Sequence, residues 1–549
     1  MSADWSERSR ASSDHAEKAD DVHEPVGEDG GSELGPRRSR QSLTHARSYG
    51  SDYYGCSTPA DVEDPNAEPE SPEAAEKEFE VQWDGDQDPL NPRSFQTGRK
   101  WIITIICSLA SFCVTCVSSI YSTTYDQITK EFHVSREVAT LGLSMFVVGL
   151  GLGPMWLGPL SEFYGRRPIY WVSFTLFFIW LIPCAVAKNI QTMIIARFFN
   201  GFAGSAFLSV VGGTVGDMFT RDKLGAPMMI FTASPFLGPV GGPLIGGFIN
   251  QFTTWRWSFW VTLIWSGVML GLIILMVPET YHPVLLREKA RRLRKETGNE
   301  QWIAPMERTK KSITRTLTWS VLRPFELLFF EPMCLNLCLL SAILLGILYL
   351  FFGAFPLVFV NNHGFKLWQV GLTFLGLFVG MVAGISCDPL FRRNYQRLVR
   401  EREEQGGEPG GSEPEFRLPP AIVGAILVPI GLFWFGWTSF SHVHWILPII
   451  GSGIFGMGMV LCFSGVFTFL VDAYPLYAAS ALAANSFARS SFAAAFPLFG
   501  VQMYERLGYQ WATSLLAFLS VAMAPFPYLF FRYGKRIRGK SRFAAGRNA

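Results

Sequence analysis

Two arginines stand where the sequence offers them little water. Arg197, within Ala196-Arg197-Phe198-Phe199-Asn200, and Arg489, within Ala488-Arg489-Ser490, each sit in a run of apolar and small residues. A charged side chain in such a run is costly and is kept where it does work. A guanidinium can depress the pKa of a nearby carboxyl, or take that carboxyl's place once it is protonated. Proton coupling is the chemistry this allows, with Asp217 and Asp472 as candidate acids. A structural arginine paired with a carboxylate or carbonyl accounts for Arg197, and a helix-end arginine reaching out to the membrane surface accounts for Arg489, with no chemistry at all.

A second constellation reads GPLSEFYGRRP at 158–168 and combines Gly158, Glu162, Gly165, Arg166 and Arg167. A glycine lets helices approach closely, an acid at a helix end can pair with a base or a helix N-terminus, and Gly165 permits a tight turn. Such parts make a latch that holds in one conformation and breaks in another. The chain repeats the pattern at 384–393, where Gly384, Asp388, Arg392 and Arg393 keep the same offsets as Gly158, Glu162, Arg166 and Arg167. A repeated latch implies two related halves.

The third signal is GPVGGPLIGG at 238–247. Gly238, Gly242 and Gly246 recur every four residues and form one helical stripe, and Pro239 and Pro243 favour a kink, with Gly247 closing the run.

Long apolar elements must carry these residues. Of 549 residues, 49% are hydrophobic and only 17% charged, against about 25% charged in a soluble domain. Apolar runs near the roughly 20 residues of a membrane-spanning helix predict twelve spans, near 101–122, 138–159, 169–187, 191–214, 226–249, 257–277, 334–360, 368–390, 419–438, 445–470, 479–502 and 511–531. Residues 1–99 carry 23 acidic and 10 basic side chains. With few large apolar residues, such a segment cannot offset its ordering entropy. Basic residues follow every second span, as at Arg166 and Arg167, in 287–323, at Arg392 and Arg393, and in the C-terminal tail. The positive-inside rule then puts both termini and the central loop in the cytosol.

All nine cysteines but Cys56 lie in apolar runs and none has a His partner set, so neither a metal site nor a disulfide framework is expected. No metalloprotease or nucleophile-elbow motif occurs, which argues against a membrane enzyme. No cofactor is expected.

These motifs carry a resemblance. The 158–168 segment resembles the loop motif of the major facilitator superfamily, with Glu162 where the family often has Asp. The 238–247 stripe resembles that superfamily's antiporter motif, and Arg197 falls where its span-four arginine is linked to proton coupling. Trp83-Asp84-Gly85, Asp88-Pro89-Leu90-Asn91-Pro92, Pro278-Glu279-Thr280, Val471–Pro475 and Ala483–Ser490 resemble segments of the fungal twelve-span drug:proton antiporter family. The resemblance covers nearly everything from Trp83 to Arg536. It implies an all-α membrane protein with the major facilitator fold, twelve transmembrane helices in two pseudo-symmetric six-helix halves.

The expected organisation is a disordered acidic tail (1–98), an N-terminal half (99–278), a cytosolic linker (279–333), a C-terminal half (334–532) and a basic tail (533–549). The expected function is export of hydrophobic or amphipathic small molecules, such as drugs, fungicides or toxins, in exchange for protons. The partners are then a small-molecule substrate, protons and the lipid bilayer, with no nucleic acid, and the chain acts as a monomer. Plasma membrane is the expected location, with the vacuolar membrane as the alternative. A nutrient or polyamine uptake carrier on the same fold is the other functional reading. Candidate cavity residues are Tyr121, Tyr125, Asn200, Tyr349, Phe352, Phe355, Phe463 and Phe467, because aromatic walls bind flat or amphipathic compounds. The acid that carries the proton is left unassigned.

Overall fold

The computed structural model describes residues 79–84, 88–220, 223–308, 313–406, 411–539, 541, 543 and 544. The expected disordered tail lies largely outside these residues. Its last part does not: Asn91 caps a short 3-10 helix over Pro92–Ser94, and Glu80 bridges to Ile303. Disorder as far as residue 98 is therefore corrected. This stretch docks on the linker, where Lys289 Nζ meets Asp84 at 2.8 Å and Asp88 at 2.9 Å.

Among the described residues, eleven helices are long and apolar enough to cross a membrane. They are Thr97–Phe132, Arg136–Tyr164, Arg166–Ala185, Ile190–Met218, Gly225–Phe252 and Trp255–Met276 as spans one to six; Pro332–His363, Leu367–Glu404, Pro419–Thr438 and Ile446–Ala473 as spans seven to ten; and Tyr509–Arg538 as span twelve. The expected eleventh span is the helix Ala478–Leu507. Its 30 residues are long enough, at about 1.5 Å each, but Ala, Ser, Asn485 and Arg489 make it too polar to stand in lipid alone. It packs instead on spans two and seven. Two further helices, His282–Thr297 and Ile313–Phe330, form the linker.

The halves repeat one pairing scheme. Span one packs on five, two on four and three on six; seven packs on eleven, eight on ten and nine on twelve. The halves meet through spans two with eleven and five with eight, which are exchanged by the same six-span shift. This is the internal symmetry that the repeated Gly-acid-Arg-Arg pattern implied.

The glycine stripe explains the one–five contact. A Cβ on Gly238, Gly242 or Gly246 would overlap, respectively, the hydroxyls of Thr115, Ser119 and Thr123 of span one. Both rows advance by four residues, so ridges of one helix run along the other. Asn250 extends the row, its Nδ2 donating to Thr123 Oγ1 at 2.8 Å. Gly247 turns the other way and meets Leu367 and Gly371 of span eight, so span five touches both halves. Prolines 235, 239 and 243 interrupt its backbone ladder. Ser234 Oγ donates to the Phe231 carbonyl at 2.8 Å, the acceptor that Pro235 leaves without an amide.

Candidate functional site

A cavity of about 630 Å³ lies between the halves. Its deep wall includes Thr115, Phe236, Pro239, Tyr349, Phe463, Phe467 and Arg489, and its rim carries Gly158, Glu162, Arg166, Asp388, Arg392 and Arg417. The rim residues lie at the end of the bundle where span six leads into the linker, here termed the linker face. Toward the opposite face the halves are tied together. Ser144 Oγ donates to the Ala494 carbonyl at 2.6 Å, Gln251 accepts the Leu367 amide at 3.0 Å, and Gln502 donates to Glu137 at 2.7 Å. The cavity therefore opens at the linker face.

Of the eight aromatic and amide candidates, Tyr349, Phe463 and Phe467 line this cavity. Tyr121, Tyr125, Asn200, Phe352 and Phe355 do not, and that expectation is corrected. Helix geometry decides it: Tyr349 turns toward span one, donating to or accepting from Ser118 Oγ at 2.9 Å. Phe355, further along the same helix, faces Phe374 and Phe435 within its own half, and Phe352 also faces Phe374. Tyr121 and Tyr125 pack edge to face in the N-terminal half. Asn200 ties span four to span three through the Phe177 carbonyl at 2.6 Å.

Arg197 is fully buried away from the cavity. Its Nη1 and Nη2 donate to the carbonyls of Val117 and Ser118, each at 2.8 Å, and its Nε to that of Gly142 at 3.2 Å. The rings of Phe146 and Tyr121 flank the guanidinium at 4.4 and 4.7 Å. Span one tightens into a 3-10 turn at Tyr121–Thr124, and such a change of ladder frees carbonyls. Arg197 takes two of them, so it clamps spans one, two and four, and its bonds go to backbone carbonyls.

The latch residues separate into two groups. Gly165 has φ +98°, a conformation that favours glycine, and breaks the chain between spans two and three. Arg166 then turns inward. Its Nε lies 3.5 Å from Asp217 Oδ2, its Nη1 donates to Ser161 at 2.6 Å, and Tyr281 covers the guanidinium at 4.7 Å. Asp217, read as a coupling acid, is thus the partner of a latch arginine. Glu279 accepts the amides of Arg166 at 2.9 Å and Arg167 at 3.1 Å, capping span three, where a carboxylate meets the positive end of a helix. His282 Nε2 donates to the Asp217 carbonyl at 2.9 Å. Tyr281 and His282 were not singled out from the sequence, and Glu279 entered only within the Pro278-Glu279-Thr280 segment; the signal was an acid placed where span six ends, against a basic span start.

In the second half, Asp388 pairs with Arg392 of its own helix at 3.1 Å. A Cβ at Gly158 would meet nothing, because the cavity opens beside it, so this glycine makes no close approach in the present state. Asp472 pairs with Arg417 at 2.8 Å rather than with Arg489. Glu331 accepts from Tyr474 at 3.3 Å and Ser541 at 2.7 Å.

Two halves of six spans around a central cavity form a transporter architecture, and the Major Facilitator Superfamily model matches residues 107–497. The chain belongs to that superfamily. It is 56% identical over 472 residues to "Efflux pump atB" of Aspergillus terreus, covering 86% of this chain and 91% of that protein. It is 43% identical over 454 residues to "Probable drug/proton antiporter YHK8" of Saccharomyces cerevisiae, covering 82% and 87%. Among solved members of the superfamily, the partially occluded inward-open xylose transporter XylE of E. coli superposes with a TM-score of 0.54 at 17% identity, over 78% of this chain and 99% of that one. That likeness concerns the fold.

Proposed function

We propose that this chain exports hydrophobic or amphipathic small molecules in exchange for protons, by alternating access of one cavity to the two faces of the membrane. The carrying observation is the cavity between the halves, of about 630 Å³ and open at the linker face, within the roughly 300–1,000 Å³ of small-molecule sites. Its relatives' names, an efflux pump and a drug/proton antiporter, support the direction of transport and the coupling ion. The basic linker and C-terminal tail support a cytosolic linker face and cytosolic termini, so the described state loads from the cytosol. Plasma membrane is the proposed location, and a single chain with halves 99–278 and 334–532 is the working unit.

In this reading the Arg166–Asp217–Glu279 cluster is the switch. It is buried at the rim, joins spans two, three, four and six, and would have to rearrange when the linker face closes. Asp217 is the proposed proton-carrying acid, since Arg166 offers it a partner that another carboxylate could take over. Cells lacking their own exporters and expressing the chain should accumulate less of a fluorescent amphipathic dye, either the uncharged Nile red or the anionic fluorescein. A protonophore should erase the difference. Equal accumulation of both dyes with and without the chain overturns export; a difference that survives the protonophore overturns proton coupling.

A further inference from the structure

Four arginines line the cavity, and three have a carboxylate: Arg166 with Asp217, Arg392 with Asp388 and Arg417 with Asp472. Arg489, on the deep wall, has none among the described residues. Its Nε is buried without a hydrogen-bond partner. The rings of Phe467, Phe463 and Phe236 lie 5.0, 5.6 and 5.8 Å from its guanidinium. Contacts that long recover a small part of what desolvating a cation costs. Arg197 marks the contrast, since the same low-dielectric setting there is met by three carbonyls. One helical turn before Arg489, Asn485 is fully buried with neither amide atom bonded. Asn485 stands outside the cavity lining, so it is Arg489 that makes the span-eleven wall cationic and incompletely satisfied where the cavity ends.

The rings around Arg489 are ordered. Phe236 and Phe463 stack at 4.6 Å with planes 16° apart, and Phe463 and Phe467 at 5.7 Å with planes 17° apart. Phe236 comes from span five and the other two from span ten, so both halves build the pile. A flat ring can extend such a pile, and a negative substituent on it would reach the guanidinium. A bond from a guanidinium to an anion is the strong, charge-assisted kind.

We propose that Arg489 anchors an anionic group of the exported molecule, and that the substrates are planar aromatic anions such as ring carboxylates and ionised phenols. This assignment rests on the export reading and deepens it. A cationic substrate would meet repulsion from Arg489, and a neutral one would leave the charge uncompensated.

The test uses the full-length purified chain in detergent micelles and isothermal titration with three probes of one shape: naphthoate, naphthamide and trimethylnaphthylammonium. Naphthoate should bind at least about tenfold more tightly than naphthamide, as a charge-assisted bond implies, and the ammonium most weakly. Arg489→Gln should bind naphthoate no better than naphthamide while keeping its naphthamide affinity, and Arg489→Lys should keep part of the preference. Should the Gln variant fail to elute as a single folded species, the wild-type ranking and the Lys variant decide. Equal binding of acid and amide, tighter binding of the ammonium, or binding of none of the three overturns the proposal, including the case where Arg489 serves only a proton-carrying acid. Dye export separates the two readings: Nile red export without anion preference in binding removes this inference alone, and anion preference in binding with export of neither Nile red nor the anionic fluorescein removes the transport reading.

Discussion

Arg166 and Asp217 form an ion pair at 3.5 Å with both side chains almost wholly withdrawn from solvent. Removing one member of such a pair strands the other charge, which costs about 3–5 kcal/mol, whereas replacing both with apolar groups is often neutral. Asp217→Asn should therefore lower the melting temperature of the purified protein well below that of an Arg166→Met, Asp217→Leu double variant. The double variant should be stable and inactive in the export assay. Export by the double variant at the wild-type rate would reduce the pair to scaffolding.

The glycine stripe makes a sharper distinction between positions of one residue type. A methyl at Gly242 would run into the backbone at Ile120 and Cys116 as well as Ser119, and backbone cannot swing aside. A methyl at Gly271 of span six would meet open space. Gly242→Ala should abolish most export while the protein still reaches the membrane, and Gly271→Ala should behave as wild type in the same cells. Two equal losses would show general helix sensitivity, and two silent changes would show that spans one and five do not pack as described.

Acid should act on the linker face through His282. Burial pushes its imidazole below the ordinary value of 6.5, with the hydrogen bond to the Asp217 carbonyl opposing and the nearby Arg93 charge assisting. The unfolded chain then takes up the proton more readily than the folded one. The stability due to this group is complete above the ordinary value and is lost as the pH falls through the lowered one. Melting temperatures should drop as the pH is brought below 6.5, and His282→Gln, which keeps a donor for the carbonyl, should drop less. Superimposable profiles would exclude His282 as the sensor.

The span pattern, the duplicated halves and the smooth face of span five were legible because each depends on local composition and on spacing along one helix. Gly238, Gly242 and Gly246 already specify a smooth face, and only their partners Thr115, Ser119 and Thr123 needed the structure. The cavity was less legible. Tyr349 and Phe352 are three residues apart, yet one lines the cavity and the other faces Phe374, a difference set by helix rotation that apolar periodicity does not resolve when every face is buried. Partner choice was the least legible. Asp217 and Glu279 are 62 positions apart in sequence, and nothing in either segment says that both converge on Arg166. Span eleven shows the opposite limit, since the reading of apolar runs placed it at 479–502 although its composition falls short of a lipid-facing helix.

Arg197 gives the prediction that separates architecture from coupling. Its three bonds go to carbonyls on spans one and two in a forked arrangement that a lysine ammonium cannot reproduce. Arg197→Lys keeps the charge and should leave at least one buried carbonyl unmet, at about 1–3 kcal/mol each. Folded yield and melting temperature should therefore fall, while export per folded molecule stays close to wild type. If the lysine variant instead folds as well as wild type and transports without response to the proton gradient, the charge and its position are what matter, and Arg197 joins the coupling machinery. The two outcomes are told apart by normalising export to the monodisperse fraction from size-exclusion chromatography.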